Sequence, residues 1–204
     1  MTKTGMTQKQ RSAATRRRLL DAATTVLIRD GYAGLTTTRV CKAAGLSQGA
    51  LFKHYTSKME LLAALTGDLY TGLAKDFRTS FEESLNTGGN VIHQAVSTLW
   101  EVFSSPKQLA SYDLTLAART DDTLAKILAP IVLAHRRRIR DIAGTIADAL
   151  DIEASEDFFD LADLILMAVQ GAVINSLACP EPDILEHRLS FIESMAGQLA
   201  GRER

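Results

Sequence analysis

Apolar residues recur at helical spacing along almost the whole chain. Leu19, Leu20, Ala23, Val26 and Leu27 predict a first amphipathic helix, and Gly31 stands where a C′ glycine would end it. The cluster Thr36-Thr37-Thr38 supplies a cap for a short helix carrying Val40, Ala43 and Ala44. Gly45-Leu46-Ser47 breaks that helix, and a second short one is expected from Gln48 to Tyr55. Ser57-Lys58-Met59-Glu60 reads as a capping box opening a long helix, with Leu61, Leu65, Leu69, Leu73, Phe77, Phe81 and Leu85 on it. A repeat of every fourth residue drifts around a straight helix, so its two ends are expected to meet different partners.

After a break at Asn86 to Asn90, Ile92, Val96, Leu99, Trp100 and Phe103 mark a fifth helix. Ser105-Pro106-Lys107-Gln108 starts a sixth, which carries Leu109, Tyr112 and Leu116. Asp121-Asp122 opens a seventh, which Pro130 is expected to kink or split, with Ile131, Ile139, Ile142, Ile146 and Leu150 buried beyond it. Ser155 with Glu156 and Asp157 caps an eighth, and Asp183 with Glu186 opens a ninth, acids that suit the helix dipole. No strand pattern and no internal repeat stands out. The predicted fold is all-α with about nine helices: a flexible basic tail at 1–12, a domain of three short helices at 13–56, and a larger helical body at 57–204.

Composition adds limits. With 204 residues, 46% of them hydrophobic and 23% charged, the chain can bury a core without staples. Cys41 and Cys179 make neither a metal-ligand spacing nor a disulfide framework. No apolar leader opens the sequence, and the most apolar stretch, Leu161 to Cys179, carries Asp163, Gln170 and Asn175. A cytoplasmic protein without a membrane partner, metal or cofactor is expected. The net charge of −1 conceals an asymmetry: residues 1–60 hold 11 Lys and Arg against 3 Asp and Glu. A basic module for nucleic acid, joined to an acidic body, accounts for it.

Helix, glycine turn and threonine-capped helix form the helix-turn-helix arrangement, whose second helix presents its N-terminal half to base edges in the major groove. The stretch Leu19 to Leu65 resembles the DNA-binding domain of TetR-family transcriptional repressors. The resemblance rests on Gly31-Tyr32 followed by Thr36-Thr37, the turn Ala44-Gly45-Leu46-Ser47, the helix Leu51-Phe52-Lys53-His54-Tyr55, and Ser57-Lys58 before Leu61-Leu62. Ala117 to Thr120 resembles a segment of that family's regulatory domains. The resemblance implies that Thr37 holds phosphate, that Thr38 lies near a base edge, and that Gln48, Gly49 and Ala50 begin the base-facing surface. It implies phosphate contacts for Lys53, His54 and Lys58. Gln can pair with adenine N6 and N7, whereas Ala50 can touch only a thymine methyl. Phe52 stands where the family has a tyrosine, so one phosphate contact is missing.

Other roles stay open beside these. Val40, Ala44, Leu46, Leu51 and Tyr55 fit a small core, Cys41 fits a buried hydrophobe, and His54 fits a packed or solvated histidine. Arg16-Arg17-Arg18 is either a solvated face or a phosphate clamp. The eighth helix, from Phe158 to Leu177, is apolar nearly all round and is expected to be buried on every face. Similar proteins dimerise through their last two helices, which implicates Gly171, Ile174, Asn175, Phe191 and Met195; a central helix of a monomer is the alternative. Trp100, Phe103, Tyr112, His135, Met167 and Gln170 are candidates for an effector pocket and equally for core. Arg136-Arg137-Arg138 with Arg140 reads as a solvated face or a site for an anionic ligand such as an acyl-thioester nucleotide.

The expected function is a homodimeric regulator, a repressor that a small molecule releases from a palindromic double-stranded DNA operator. The alternatives are an architectural or non-specific DNA-binding protein and an apolar-ligand carrier without operator binding. No phosphate loop, nucleophile elbow or paired histidines support an enzyme.

Overall fold

The computed structural model describes residues 7–180 and 182–200, and every regular element among them is an α-helix. The helices are α1 (Gln8–Gly34), α2 (Thr37–Ala44), α3 (Gln48–Phe52), α4 (Lys58–Leu85), α5 (Val91–Phe103), α6 (Pro106–Ala117), α7 (Asp122–Leu150), α8 (Glu156–Ala178) and α9 (Pro182–Ala200). The chain divides into two compact units: the part up to Thr71 with Leu109–Val132, and Gly72–Gln108 with the part from Leu133 onward. The first unit therefore runs past the boundary expected near Ser57. The start of α4 explains this, because Leu61, Leu62 and Leu65 are buried and complete that unit's core.

Helix α1 starts earlier than its apolar pattern predicts. The Gln10 amide donates to Thr7 Oγ1 at 3.2 Å, and the Thr7 amide donates to Gln10 Oε1 at 2.8 Å, a reciprocal capping box. Residues 8–12 are thus helix instead of flexible tail; residues 1–6 of that expected tail lie outside the described residues. Gly31 does not terminate α1 either. It takes φ +68° and ψ −178°, a conformation open essentially to glycine, and α1 resumes to Gly34.

The first unit buries Leu19, Ala23, Val26 and Leu27 of α1 against α2, with Val40, Leu51 and Tyr55 completing the interior. From the 109–132 segment come Leu114 and Leu124, both fully buried. Leu116 is exposed, because α6 turns Ala110, Ser111 and Leu114 to the core. The same segment grips the Gly31-Tyr32 corner. The Tyr32 amide donates to the Asp113 carboxylate, and the Tyr32 hydroxyl donates to Asp121 Oδ2 at 2.8 Å. Asp121 Oδ1 meanwhile accepts from the Leu124 amide at 2.9 Å and caps α7.

In the second unit α5, α8 and α9 pack on one another, with Val96, Val169, Val173 and Ala196 buried. A further cluster joins Ala143, Ala147 and Phe158 with Ile146, Phe159 and Ala162. Helix α7 continues through Pro130 without splitting, and the position is exposed. Of its expected core row only Ile142 is buried, and Ile131, Ile139, Ile146 and Leu150 are half-buried. Helix α8 departs most from expectation. It buries one stripe, Phe158, Val169 and Val173, while Leu164 (63% exposed), Met167, Ile174 and Leu177 (60%) face outward.

Candidate nucleic-acid interface

The α2–α3 pair is built by three local devices. Thr36 caps α2, its hydroxyl accepting from the Arg39 amide at 3.2 Å. Gly45 turns the chain at φ +60°, and its amide donates back to the carbonyls of Cys41 and Lys42. Ser47 caps α3 by accepting from the Ala50 amide at 3.1 Å. Between them Val40, Cys41 and Ala44 point inward from α2, while Leu51 and Tyr55 point inward from α3 and the turn after it. Leu46 is only half-buried. Burial pushes the Cys41 thiol up from its ordinary range, which fits a small core residue.

Helix α3 is shorter than expected. Its helical span ends at Phe52, and the His54 and Tyr55 amides both donate to the Leu51 carbonyl as the chain turns towards α4. This turn buries Tyr55 completely and leaves Phe52, at 45% exposure, in solvent. Thr38, Gln48, Gly49, Lys53 and Lys58 are exposed, whereas Thr37, Ala50 and His54 are half-buried. The Gln48 amide nitrogen donates to Thr38 Oγ1 at 2.8 Å, linking the two side chains across the turn. One carboxamide hydrogen is thereby committed; the amide still offers a donor and the carbonyl oxygen. Lys58 sits with its ammonium 5.4 Å from the Tyr32 ring centroid, a cation–π distance, and its charge helps hold the Asp121 carboxyl below its ordinary range.

The structure gives the members of the arginine triplet different partners. Arg16 lies over the Tyr55 ring at 4.6 Å and donates to the His54 carbonyl at 3.5 Å. Arg17 pairs with Asp21 at 2.8 Å and with Asp68 at 2.7 Å, tying α1 to α4. Arg39 similarly bonds Asp30 and the Gly34 carbonyl, each at 3.3 Å. The i, i+4 spacing of Arg17 and Asp21 is a signal the sequence carries; partners on other helices leave none.

The other expected site residues differ in burial. Phe103 and Tyr112 are buried, Trp100, His135 and Gln170 are half-buried, and Met167 is exposed on the outward stripe of α8 instead of lining an interior. An open cleft of about 310 Å3 in the second unit is lined by Ser80, Ser84, Ser97, Thr98 and the 87–90 loop, none of them expected pocket residues. Gly171 is half-buried with open space beside its Cα, and Ile174, Asn175, Phe191 and Met195 are exposed. Among the described residues no group of three His, Cys, Asp or Glu side chains is placed to hold a metal ion.

Residues 19–65 match the family described as bacterial regulatory proteins, tetR family. Over 171 residues the chain is 31% identical to the HTH-type transcriptional regulator CymR of Pseudomonas putida, covering 84% of this chain and 83% of that one. The TetR-family transcriptional regulator of Cytophaga hutchinsonii shares the fold at a TM-score of 0.68 and 17% identity, over 96% of this chain and 98% of that one. So does the multidrug binding protein EbrR, solved in complex with imidazole, at a TM-score of 0.63 and 20% identity, over 87% and 92%. A helix-turn-helix with a capped, solvent-facing second helix on an all-α chain defines a DNA-binding regulator. The protein belongs to the TetR family of transcriptional regulators, a non-enzymatic class.

Proposed function

We propose that the protein acts as a homodimeric repressor that a small molecule releases from a palindromic DNA operator. The observation that carries the DNA half is the Thr38–Gln48 pair, two exposed side chains joined at 2.8 Å across the α2–α3 turn. Thr38 fixes the Gln48 carboxamide, whose remaining donor and acceptor match adenine N6 and N7. Gly49 and Ala50 keep the adjoining surface low enough for a base edge to approach. Thr37, Lys53, His54 and Lys58 hold phosphate, which positions the protein without reading sequence. Dimerisation through α8 and α9 is supported by Leu164, Met167, Ile174, Leu177, Phe191 and Met195, all large apolar side chains left in solvent by one protomer.

By length and hydropathy α8 also meets the criteria for a membrane span. Its packing on α5 and α9 and the acids of its first turn favour an interface between copies in a cytoplasmic protein. Effector binding has support from the family and from EbrR, which binds imidazole. Phe103, Trp100, His135 and Gln170 are the second-unit candidates for it, and Tyr112 the candidate from the first. Effector acts only through its differential affinity for two states of the dimer.

The test is selection of duplexes from a random pool, followed by binding to all single-base variants at fixed salt. Gln48→Ala should cost about 1–3 kcal/mol on the selected site and relax preference at one symmetric pair of positions. Lys53→Ala should weaken all variants alike. Uniform weakening by Gln48→Ala would remove it from base readout, and failure to select any sequence would favour non-specific binding.

A further inference from the structure

The geometry points to a second DNA contact: we propose that Gln8–Arg18, the first half of α1, is a rigid basic arm lying along phosphates that flank the site read by α3. The proposal rests on the DNA-binding reading above. Within these eleven residues are Lys9, Arg11, Arg16, Arg17 and Arg18 and no acid; the next carboxylate in the chain is Asp21. All side chains from Gln8 to Arg18 are exposed except Thr15, which is half-buried, so the segment contributes nothing to the unit's apolar core. It is nonetheless ordered as helix, nucleated by the Thr7–Gln10 capping box and continuous with the buried part of α1. Lys9 and Arg11 stand in or beside the first turn, where the helix dipole disfavours cations and no acid offsets them. A polyanion is the partner that relieves this charge.

Helical spacing places the cations relative to the helix-turn-helix. Lys9 and Arg16 are seven residues apart and so are Arg11 and Arg18, which makes two rows along the helix. These rows flank the line of Leu19, Ala22 and Val26 by which α1 packs on α2. Arg16 is anchored at the end of α3, on Tyr55 and the His54 carbonyl. Arg18 stands at the α2–α3 turn, its Nη2 2.9 Å from where a Cβ at Gly45 would be. One row thus begins at the end of α3 with Arg16 and the other at the α2–α3 turn with Arg18, and both continue outward along the arm. Arg17 is committed to Asp21 and Asp68, but among the described residues Lys9, Arg11 and Arg18 have no carboxylate within ion-pair distance. Eleven helical residues span about 16 Å, or roughly half a turn of duplex beyond the α3 site.

The experiment compares wild type with the double variant Lys9→Ala/Arg11→Ala. The probes are the selected duplex trimmed to its core and the same duplex extended by one helical turn, about 10 base pairs, at each end. Both substitutions are exposed and favour helix, and circular dichroism confirms that the arm stays folded. On the extended duplex the variant should bind roughly tenfold or more weakly, and the slope of log K against log salt should fall by about 3–4 for a dimer. On the trimmed duplex the two proteins should agree. Equal affinity and slope on both duplexes overturn the arm while leaving operator binding intact. A loss on both duplexes alike overturns the flanking position. A variant unchanged on DNA but weakened on vesicles of anionic phospholipid assigns the arm to a membrane surface instead. Wild type that binds neither duplex removes the underlying reading, which Gln48→Ala tests separately.

Discussion

The α2–α3 pair and the α8–α9 pair use apolar side chains in opposite senses. The first has only 13 helical residues, too few to be stable alone, yet it hides Val40, Leu51 and Tyr55 completely and shows Thr38, Gln48 and Lys53 to water. The second is long and well formed, yet it leaves Leu164, Met167, Ile174, Leu177, Phe191 and Met195 in solvent. A polar surface on a small, fully packed scaffold serves a partner that is polar and charged. An apolar surface on long helices suits a partner that is itself apolar, and the second copy proposed above presents the same stripe. Burial within one protomer therefore sorts the two regions by the chemistry of what they meet.

The largest expected effect breaks the second half of that contrast. Leu164→Glu with Leu177→Glu puts charge into the outward stripe, where an unpaired buried charge is not tolerated. Wild type should sediment as a dimer at micromolar concentration and the double variant as a monomer. Gly171→Leu refines the result. A Cβ at Gly171 meets nothing within 4 Å in the protomer, so this variant should leave the protomer's helicity unchanged and weaken association alone. A monomeric wild type would refute the interface.

Next in size is a pair of truncations in the monomeric background. Leu51→Ala, at a fully buried position, should cost about 2–5 kcal/mol in urea unfolding. Met167→Ala, at an exposed one, should stay within about 0.5 kcal/mol. Similar costs would mean that Met167 packs within the protomer. The same contrast applies to glycines. Gly31→Ala is expected to cost about 1–3 kcal/mol, because only glycine enters its backbone region readily and the new Cβ would lie 2.9 Å from Asp113 Oδ2. Gly171→Ala has neither obstacle and supplies the control.

The helices were largely legible because apolar spacing and caps are local. Ser47, Ser155 and Asn90 cap where the residues allow, and the start of α1 was missed although Thr7 and Gln10 carry a capping-box spacing. The apolar periodicity begins only at Leu19, while the cap lies twelve residues before it. Side-chain direction was less legible. The pattern of α8 tells that it is apolar on most faces, but which face is covered depends on where α5 and α9 lie, and that is set by packing between distant segments. Met167 moved from expected pocket to outward stripe for this reason. The candidate DNA contacts were placed through the family resemblance and the capped turn; the Thr38–Gln48 bond joins residues ten apart and has no periodic signature.

The smallest effect tests whether the Gly31-Tyr32 corner is held by charge or by packing alone. Burial, followed by its hydrogen bond to Asp121, pushes the Tyr32 hydroxyl up to about 12. The Leu124 amide and then the Tyr32 hydroxyl hold the Asp121 carboxyl below its ordinary range, with Lys58 adding to them. One hydrogen bond is thus linked to pH at both ends. The Asp121 contribution is present above the unfolded value of about 3.9 and is lost as pH falls through the lower folded value. The Tyr32 contribution is present below the unfolded value of about 10 and is lost as pH rises towards the folded value. Asp121→Asn can still cap α7 through its amide oxygen, so it removes charge while keeping the cap. Relative to this variant, wild type should be more stable at neutral pH, and the difference should shrink as pH falls below about 4. Tyr32→Phe should flatten the alkaline decline between about 10 and 12 and leave the acid limb sloping less steeply than in wild type. Melting temperatures measured across pH for the three proteins decide it. If the differences from wild type are the same at every pH, the corner is held by packing, and ionisation of neither Asp121 nor Tyr32 contributes to it.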